Sequence, residues 1–370
     1  MRLHIALDEK VIGRCIRNFE RVFPGQNKFI IIMRDRDLKY VSEDCCIPVH
    51  YGTSEFWKKV GSIEKYESVI IHSFFKESID FVLKINHHCI YWIEWGADLY
   101  DNLLAVKGYK LHYEKDIDWR MSHVRLPYLL YRVVKWCYLK HLQHKQIKAI
   151  KKVRYFVPDS MYDEYPLLLK YYPSLNHLEY KEFFYYPIDE VVDIPLFENK
   201  TVGDNIIVGN SSSVTANHLL VFQKLNSFNL DKAKILVPLS YGNSKLRDYV
   251  KTLGFEMWKE NFVPIETFLP LNEYNNVLQS AKIFIFGNWR QEAVGNILAA
   301  LYIGGKVFLD SRNPLLDYYE RLGLYIYDLS SLSEKELSTK LSEEEVAHNR
   351  NILKKIYSKE RQLQLIERNF

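Results

Sequence analysis

The feature that most constrains this chain is a regular alternation of short apolar segments with helical ones, running from end to end. We predict strands at 3–7, 28–33, 68–74, 89–95, 154–159, 205–210, 234–240, 282–287, 306–311 and 324–329. These segments are apolar almost throughout and do not alternate with polar residues, so helices should cover both faces of the sheets. The sequence therefore predicts an α/β protein with parallel sheets.

The alternation occurs twice, and the two runs are separated by an irregular, proline- and acid-containing stretch at 185–205. A chain of 370 residues suits two domains. We predict Rossmann-like doubly wound domains at 1–187 and 204–345, a linker at 188–203, and a C-terminal helix at 346–370 that could pack back on the first domain. Two such domains facing each other form a cleft, and ligands bind beyond the carboxyl ends of the strands.

Several classes of protein are disfavoured by composition. The five cysteines show no CxxC spacing, which disfavours a zinc knuckle or redox pair. The N-terminus has no secretory h-region and no segment reaches the length of a membrane span, so we expect a cytoplasmic protein. The acidic pairs at 35–37 and 116–118 are weak metal candidates that fit solvated loops better. We expect no metal site.

Small, donor-rich residues follow the first strand of the second domain, in the stretch IIVGNSSSVTANHLLVFQKL at 206–225. Gly209 allows close approach of a ligand, and Asn210, Ser211 and Ser212 carry amide and hydroxyl donors. Unpaired N–H groups and the dipole at a helix start attract anions. The alternative is that a serine simply caps the helix. This turn is therefore a candidate phosphate site.

A second strand-to-helix turn lies at 284–305, in FIFGNWRQEAVGNILAALYIGG. Arg290 and Gln291 lie at the helix entry, and Gly295 and Asn296 lie one turn inside the helix. Tight packing of the helix through Gly295 and Ala299 is the alternative explanation. Two such turns in one domain favour a site in which one holds a diphosphate and the other a sugar. An arginine and helix dipoles could then neutralise the leaving group without a metal.

A candidate base lies in the first domain, where a strand ends in WIEWGADLY at 92–100. Glu94 and Asp98 are the carboxylates, and we predict Asp98 as the base that removes a proton from an acceptor hydroxyl. Asp98 could instead cap a short helix, and Glu94 could be a buried, hydrogen-bonded acid. His72 and His88 are further candidates for the base, although a single histidine is more often structural.

Residues 119–158 contain no Asp or Glu and many Lys, Arg and aromatic residues. The spacing predicts an amphipathic helix with a basic face, which suits an anionic membrane surface. The predicted membrane-facing lysines are Lys145, Lys148, Lys151 and Lys152. A helix that only covers the sheet is the alternative, and a nucleic-acid groove ranks last because no nucleic-acid motif accompanies it.

Four segments together resemble a known family: WGADLY (95–100), VGNSSSVTANH (208–218), VPLSYG (237–242), and RQEAVGNILAAL with GGKVFLDSRNPLLDYY (290–319). They are similar to glycosyltransferase family 56, which moves N-acetylfucosamine from a dTDP sugar to a lipid-linked disaccharide in enterobacterial common antigen synthesis. The resemblance implies a GT-B fold with the donor on the C-terminal domain and the acceptor on the N-terminal one. We add His218, Tyr241 and Leu269 to the donor site, with Tyr241 and the 268–271 loop flanking the base of the nucleotide.

The expected function is that of a metal-independent bacterial hexosyltransferase in surface polysaccharide synthesis. It would move an amino-deoxysugar from a dTDP- or UDP-linked donor to a polyprenyl-diphosphate-linked saccharide, and it would need no other cofactor. It would attach peripherally to the inner face of the plasma membrane and bind no nucleic acid. The alternatives are a GT-B-like nucleotide-sugar 2-epimerase and a non-catalytic sugar- or lipid-binding scaffold.

Overall fold

The computed structural model describes residues 1–42, 44–113, 125–197, 201–230 and 233–370. They divide into two compact units. The first, called unit 1, comprises Met1–Tyr109, Arg132–Tyr185 and Lys359–Phe370. The second, called unit 2, comprises Lys110–Tyr131 and Tyr186–Ser358.

Unit 1 is built on a seven-stranded parallel sheet with the order β3-β2-β1-β4-β5-β6-β7. Every described pairing in it is parallel, as in the register of Leu3 with Lys28 and with Val69. Its strands are β1 Arg2–Leu7, β2 Asn27–Ile32, β3 Cys46–Val49, β4 Ser68–His72, β5 Ile90–Ile93, β6 Tyr155–Val157 and β7 Glu179–Tyr180. The central strands are buried on both faces, which is why most of their residues are apolar.

The helices of unit 1 alternate with these strands. They are α1 Ile12–Val22, α2 Ser54–Val60, α3 Lys76–Lys84, α4 Ala97–Leu99, α5 Arg125–Ile150 and α6 Glu164–Tyr171. Helix α5 belongs to unit 1 from Arg132 onward, and its residues before Arg132 belong to unit 2. A π turn and a 3₁₀ turn continue α4 as far as Lys107. The last helix of the chain, α16 Lys359–Asn369, also belongs to unit 1, where Gln362 Oε1 accepts a bond from Asn18 Nδ2 of α1 at 2.6 Å.

Unit 2 is built on a six-stranded parallel sheet with the order β10-β9-β8-β11-β12-β13. Its strands are β8 Asn205–Val208, β9 Ile235–Pro238, β10 Phe262–Ile265, β11 Ala281–Phe286, β12 Lys306–Leu309 and β13 Tyr327–Asp328. Its helices are α7 Ile188–Val191, α8 Ile194–Phe197, α9 His218–Leu225, α10 Ser244–Trp258, α11 Leu271–Gln279, α12 Val294–Ile303, α13 Pro314–Arg321, α14 Glu334–Ser338 and α15 Glu343–Tyr357.

Helix α12 is the most deeply buried helix of unit 2, because most of its side chains lie away from solvent. It contacts α15, α7 and β12. The pair Gly304 and Gly305 ends it: Gly304 takes a left-handed φ of +98°, and a Cβ on Gly305 would lie 2.2 Å from the Phe284 ring. The two glycines therefore let β12 follow directly against β11.

The ten predicted strands all correspond to strands of the structure, and three strands were missed. The missed ones, β3, β7 and β10, lie at sheet edges. They are short, and β3 and β10 contain a proline, which edge strands tolerate. Their sequences therefore lack the continuous apolar run by which the buried strands were predicted.

Helix α15 begins with a capping box: the side chains of Ser342 and Glu345 each accept a bond from the other's backbone N–H, at 3.2 and 2.8 Å. The stretch predicted as an irregular linker at 188–203 contains the single-turn helices α7 and α8. Its residues 198–200 lie outside the described part of the chain.

Candidate functional site

The predicted donor residues lie after successive strands at the carboxyl edge of the unit 2 sheet. Gly209 and its neighbours follow β8, Tyr241 follows β9, Leu269 follows β10 and Arg290 follows β11. Because β10, β9, β8 and β11 are adjacent and parallel, these four loops emerge at the same edge. We call this set of loops the unit 2 edge.

The turn after β8 is a close-packed connection that does not lead straight into a helix. Gly209 takes a φ of +69°, and a Cβ there would lie 3.1 Å from Nε2 of His218. Ser213 caps a 3₁₀ turn at Val214–Ala216, and α9 starts only after Asn217, in a left-handed conformation. Capping thus explains the presence of Ser213, whereas it does not explain Ser211 and Ser212.

Ser212 fastens the turn after β8 to the turn after β9. Its Oγ donates to the Tyr241 carbonyl at 2.7 Å, and its carbonyl accepts from Asn243 N at 3.0 Å. A Cβ on Gly242, which has a φ of +111°, would lie 2.7 Å from the Ser212 backbone. The hydroxyl of Ser212 is therefore engaged within the protein, and its effect is to position Tyr241.

Asn210 and Tyr241 form the polar centre of the unit 2 edge. Asn210 Nδ2 donates to the Tyr241 hydroxyl at 3.0 Å, and Asn210 is buried. Its Oδ1 has no hydrogen-bond partner among the described residues. Burial and then the Glu292 carboxylate raise the pKa of Tyr241, so this hydroxyl stays protonated and can donate.

Arg290 is held by Glu292, whose carboxylate is not among the predicted site residues. Glu292 Oε2 accepts from Arg290 Nε at 3.1 Å and from Thr215 Oγ1 at 2.6 Å. Both members of the ion pair are largely buried. Glu292 therefore joins the turn after β11 to the turn after β8 and orients the Arg290 guanidinium. Glu292 is next to Gln291 in the sequence, but its contact with Thr215 joins residues 77 positions apart, which no local pattern indicates.

Two further buried polar side chains of the unit 2 edge lack partners. Asn288 follows β11 and is fully buried, and neither its Oδ1 nor its Nδ2 has a partner in the described parts of the chain. The same holds for both ring nitrogens of His218, whose pKa burial lowers to about 4, leaving a neutral imidazole. Asn288 was missed, although the Gly-Asn pair that ends β11 repeats the one that ends β8.

For the remaining predicted donor residues, the structure shows their burial and packing. Gln291 is buried, and Asn296 and Leu269 are half-buried. Gly295 lies against Tyr186, since a Cβ there would be 3.1 Å from the ring. The predicted packing role of Gly295 is thus visible in the structure, and its place in a ligand site stays a prediction.

In unit 1, Asp98 is buried and accepts three hydrogen bonds. Its Oδ2 accepts from Phe74 N at 2.7 Å and from Trp92 Nε1 at 2.6 Å, and its Oδ1 accepts from Trp95 N at 2.9 Å. Burial raises the pKa of this carboxyl, while the three donors act in the opposite direction. Asp98 therefore holds the ends of β4 and β5 together, and its role as base stays a prediction.

Glu94 is fully buried and belongs to a carboxyl pair. One of its oxygens accepts from Gly96 N. Burial, followed by the nearby Glu164 and Asp98 carboxyls, raises the pKa of Glu94 well above its usual range. Burial likewise raises the pKa of Glu164 to about 8. Glu94 is therefore held protonated near neutral pH, and Glu164, on α6, was not foreseen.

The two histidines considered as bases have different surroundings. His72 is fully buried, with Nε2 3.0 Å from His4 Nδ1 and Nδ1 2.6 Å from the Tyr185 hydroxyl. Burial lowers the pKa of His72 to about 3, so it is neutral. His88 is exposed and stacks on the half-buried His87. His72 thus belongs to a polar network inside unit 1.

The four predicted membrane-facing lysines divide into two pairs. Lys145 forms an ion pair with Asp80 at 3.1 Å, and Lys152 donates to the carbonyls of Leu83 and Ile85 at the end of α3. Lys148 and Lys151 are exposed. Residues 119–124 of the basic stretch lie outside the described residues.

Among the described residues, no group of three or more His, Cys, Asp or Glu side chains is able to hold a metal ion. The acidic pair at 35–37 is exposed, and the pair at 116–118 lies outside those residues. None of the helices in the described ranges is both long and apolar enough to cross a bilayer.

Two doubly wound parallel-sheet units define the GT-B class of glycosyltransferases, and solved structures support this assignment. The chain is similar to sucrose-phosphate synthase from Thermosynechococcus elongatus (TM-score 0.66, 8% identity, covering 100% of this chain and 98% of that one). It is also similar to a glycosyltransferase from Rickettsia africae (0.61, 10%, 99% and 95%) and to Anabaena HepE, solved with UDP and glucose (0.59, 8%, 99% and 98%). At these identities the likeness establishes the fold.

The family follows from the sequence itself. Residues 167–356, just over half of the chain, match the model of glycosyltransferase group 56, described as 4-α-L-fucosyltransferases. The chain therefore belongs to this family and is a glycosyltransferase.

Proposed function

We propose that this enzyme transfers an amino-deoxysugar such as N-acetylfucosamine from a nucleotide diphosphate donor to a polyprenyl-diphosphate-linked saccharide. The observation that carries the donor half is the set of buried, unpartnered polar atoms at the unit 2 edge, on Asn210, Asn288 and His218. Buried polar groups in native proteins are nearly always satisfied, so such a set favours a polar ligand as the missing partner. The family description supports a sugar of the fucose type.

Arg290 is the proposed diphosphate ligand. Glu292 orients the guanidinium through its Nε, and an oriented guanidinium can bind phosphate oxygens through parallel N–H···O bonds. The neutral amides and the protonated Tyr241 hydroxyl add donors without adding negative charge. The nucleotide would be UDP or dTDP, a choice supported by the UDP bound to the similar HepE structure. Tyr241 and the half-buried Leu269 would flank its base.

The proposed base is Asp98. Of the two candidate carboxyls, Glu94 is held protonated by burial and by its carboxyl neighbours, so it is poorly suited to accept a proton. Asp98 instead receives three N–H donors that favour its ionised form. It would take the proton of the acceptor hydroxyl as the bond between the donor sugar and its diphosphate breaks and the new glycosidic bond forms. Arg290 would stabilise the charge on the departing diphosphate.

The proposed lipid-linked acceptor determines where in the cell the enzyme would work. A polyprenyl chain stays in the bilayer because each buried CH₂ contributes about 0.8 kcal/mol. The enzyme would therefore work on the inner face of the plasma membrane as a peripheral protein. The acid-free, basic stretch at 119–158 supports this placement.

Calorimetry of nucleotide binding tests the donor site. We expect Arg290→Ala to weaken binding of UDP or dTDP about ten- to a hundredfold, because a charge-assisted bond contributes roughly 1.5–3 kcal/mol. The matched control is Arg321→Ala, at an exposed arginine in the last turn of α13. Unchanged affinity in Arg290→Ala would remove this residue from the site. Transfer to a lipid-linked acceptor, compared with hydrolysis or epimerisation of the donor alone, separates the transferase from the epimerase and scaffold alternatives.

A further inference from the structure

The largest cluster of exposed apolar side chains in the described structure lies on helix α5. Val133, Val134, Trp136 and Tyr138 are exposed by 60, 67, 58 and 52%, and they stand within six residues of one another. Other large exposed apolar residues are scattered singly, which is normal for a soluble surface. We call these four residues the crest. A cluster of this kind marks an interaction surface.

The side of the crest that carries Val133 and Val134 continues into an exposed stripe that ends in two lysines. Val133, Cys137, His141, His144 and Lys148 are all exposed and follow one another at helical spacings of three or four positions. Lys151, just beyond the helix, is exposed as well. At a rise of about 1.5 Å per residue, the stripe runs roughly 27 Å from Val133 to Lys151. The exposed face therefore changes from apolar to cationic along its length.

Another face of α5, over residues 143–150, is buried against the rest of the protein. Gln143, Gln146, Ala149 and Ile150 are buried, and Gln146 Nε2 donates to the Asp98 carbonyl at 2.8 Å. Lys145 and Lys152, on the flanks, are tied to groups of α3 or just beyond its end. Over 143–150 the helix thus buries one side and exposes the stripe on the other. In the crest, Val133 and Val134 lie on the side of the stripe, and Trp136 and Tyr138 flank that side, one on each edge.

We infer that the crest of α5 inserts into the interface of a lipid bilayer while Lys148 and Lys151 contact anionic headgroups. Trp and Tyr beside aliphatic residues favour the water–lipid boundary, and cations farther along the same face favour negative lipid. A protein partner would not require this order of residues along one helix. The inference rests on the proposed function in one respect: a lipid-linked acceptor gives the enzyme a reason to reach the bilayer.

Insertion predicts a response to salt that a purely electrostatic contact does not. Salt screens the lysines, since the Debye length falls to about 3 Å at 1 M, but it leaves apolar insertion intact. We therefore expect binding to anionic vesicles to weaken at 1 M NaCl without disappearing. The crest variant should lose this salt-resistant fraction, and the lysine variant should lose mainly the salt-sensitive fraction.

Vesicle flotation is the test, with wild type and variants on phosphatidylcholine vesicles with and without a quarter of phosphatidylglycerol. The crest variant is Val133→Ser with Val134→Ser and Trp136→Ser, and its control is Phe255→Ser, at a residue exposed by 47% on α10. The stripe variant is Lys148→Glu with Lys151→Glu. Its control is Lys58→Glu with Lys59→Glu, which makes the same charge change at exposed positions of α2.

We expect the crest and stripe variants each to bind anionic vesicles about tenfold or more weakly, with both controls unchanged. Quenching by brominated lipid should fall in Trp136→Phe, whose flotation should persist. Equal flotation of wild type and crest variant, or no flotation of wild type, overturns the inference. So does a crest variant that converts a dimer of this chain to monomer in sedimentation without affecting flotation.

The outcome is separable from that of the proposed function. Calorimetry with UDP or dTDP, and transfer to a short water-soluble acceptor, require no membrane. Retained transfer without flotation overturns the insertion and leaves the proposed function standing. Flotation through the crest without any transfer supports the insertion and counts against the proposed function.

Discussion

The carboxyl edges of the two sheets are alike in topology and opposite in chemistry. At the edge of unit 1, Glu94, Asp98 and Glu164 are buried acids, and none forms an ion pair with a described Lys or Arg. At the unit 2 edge the Glu292 carboxylate is paired with an arginine, and so is that of Asp310 in the adjacent turn after β12. The groups left without partners there are neutral.

This difference shows that one fold can serve two purposes. The buried acids of unit 1 offer a diphosphate no positive charge, whereas neutral amides, hydroxyls and an oriented arginine attract it. The acids of unit 1 suit proton transfer and internal support, and the neutral groups of the unit 2 edge suit an anionic ligand. Repeated topology therefore does not imply a repeated site.

The largest effect is expected from removing the acid that supports the unit 1 edge. Asp98→Ala would leave the N–H groups of Phe74, Trp95 and the Trp92 indole without their acceptor. We expect unfolding free energy to fall by about 3–5 kcal/mol in urea titrations, together with loss of transfer. Asp248→Ala, at an exposed acid of α10, is the control. A variant that keeps full stability but loses transfer would make Asp98 a base without a structural role.

A smaller effect of opposite sign is expected at Glu164. Its pKa is about 8 in the folded protein against a usual value of 4.5, so the folded state holds a proton that the unfolded chain releases. Stability contributed by this group is therefore lost as pH rises from about 4.5 to about 8. Glu164→Gln should remove that loss and raise the unfolding free energy at pH 8 relative to the wild type.

The check is urea denaturation across that pH range, with Glu256→Gln at an exposed position of α10 as the control. A pH slope that is unchanged in Glu164→Gln would show that Glu164 is not its source.

At the unit 2 edge, replacing Asn288 should raise the stability of the free protein and weaken nucleotide binding. Asn288→Leu removes a buried amide without partners, so we expect unfolding free energy without ligand to rise by about 1 kcal/mol. Nucleotide affinity should fall, because the amide can no longer bond the ligand. Thermal unfolding with and without UDP or dTDP measures both, and Asn276→Leu, exposed on α11, is the control. Improved stability together with unchanged nucleotide affinity would place Asn288 outside the donor site.

The smallest effect is expected from chelation. If Arg290 and neutral donors stabilise the leaving diphosphate, transfer should proceed at the same rate in EDTA. The measurement is initial rate with EDTA, with and without added magnesium or manganese. Activity that disappears in EDTA and returns with metal would overturn the metal-independent mechanism.

The local patterns of the chain were sufficient for much of the fold. Strands such as 3–7 and 282–287 are apolar because they are buried on both faces, and the capping box at Ser342 depends on a residue three positions away. Gly209 also follows from a local rule, since its turn requires a φ of +69°. These features depend on near neighbours in the sequence, which is why they could be predicted.

Tertiary structure decided which residues meet at the site and which of their polar groups are already hydrogen-bonded. Thr215 with Glu292, and Ser212 with the Tyr241 turn, meet only because strands distant in sequence become adjacent in the sheet. No local pattern distinguishes a serine that binds a ligand from one that fastens two loops.

The same holds for Lys145 and Lys148, which look alike in the sequence. Lys145 reaches Asp80, 65 positions earlier in the chain, and Lys148 remains in solvent. The sequence by itself determined the strands, the caps and the glycine turns. Tertiary structure decided which polar groups are satisfied, because their partners come from distant parts of the chain.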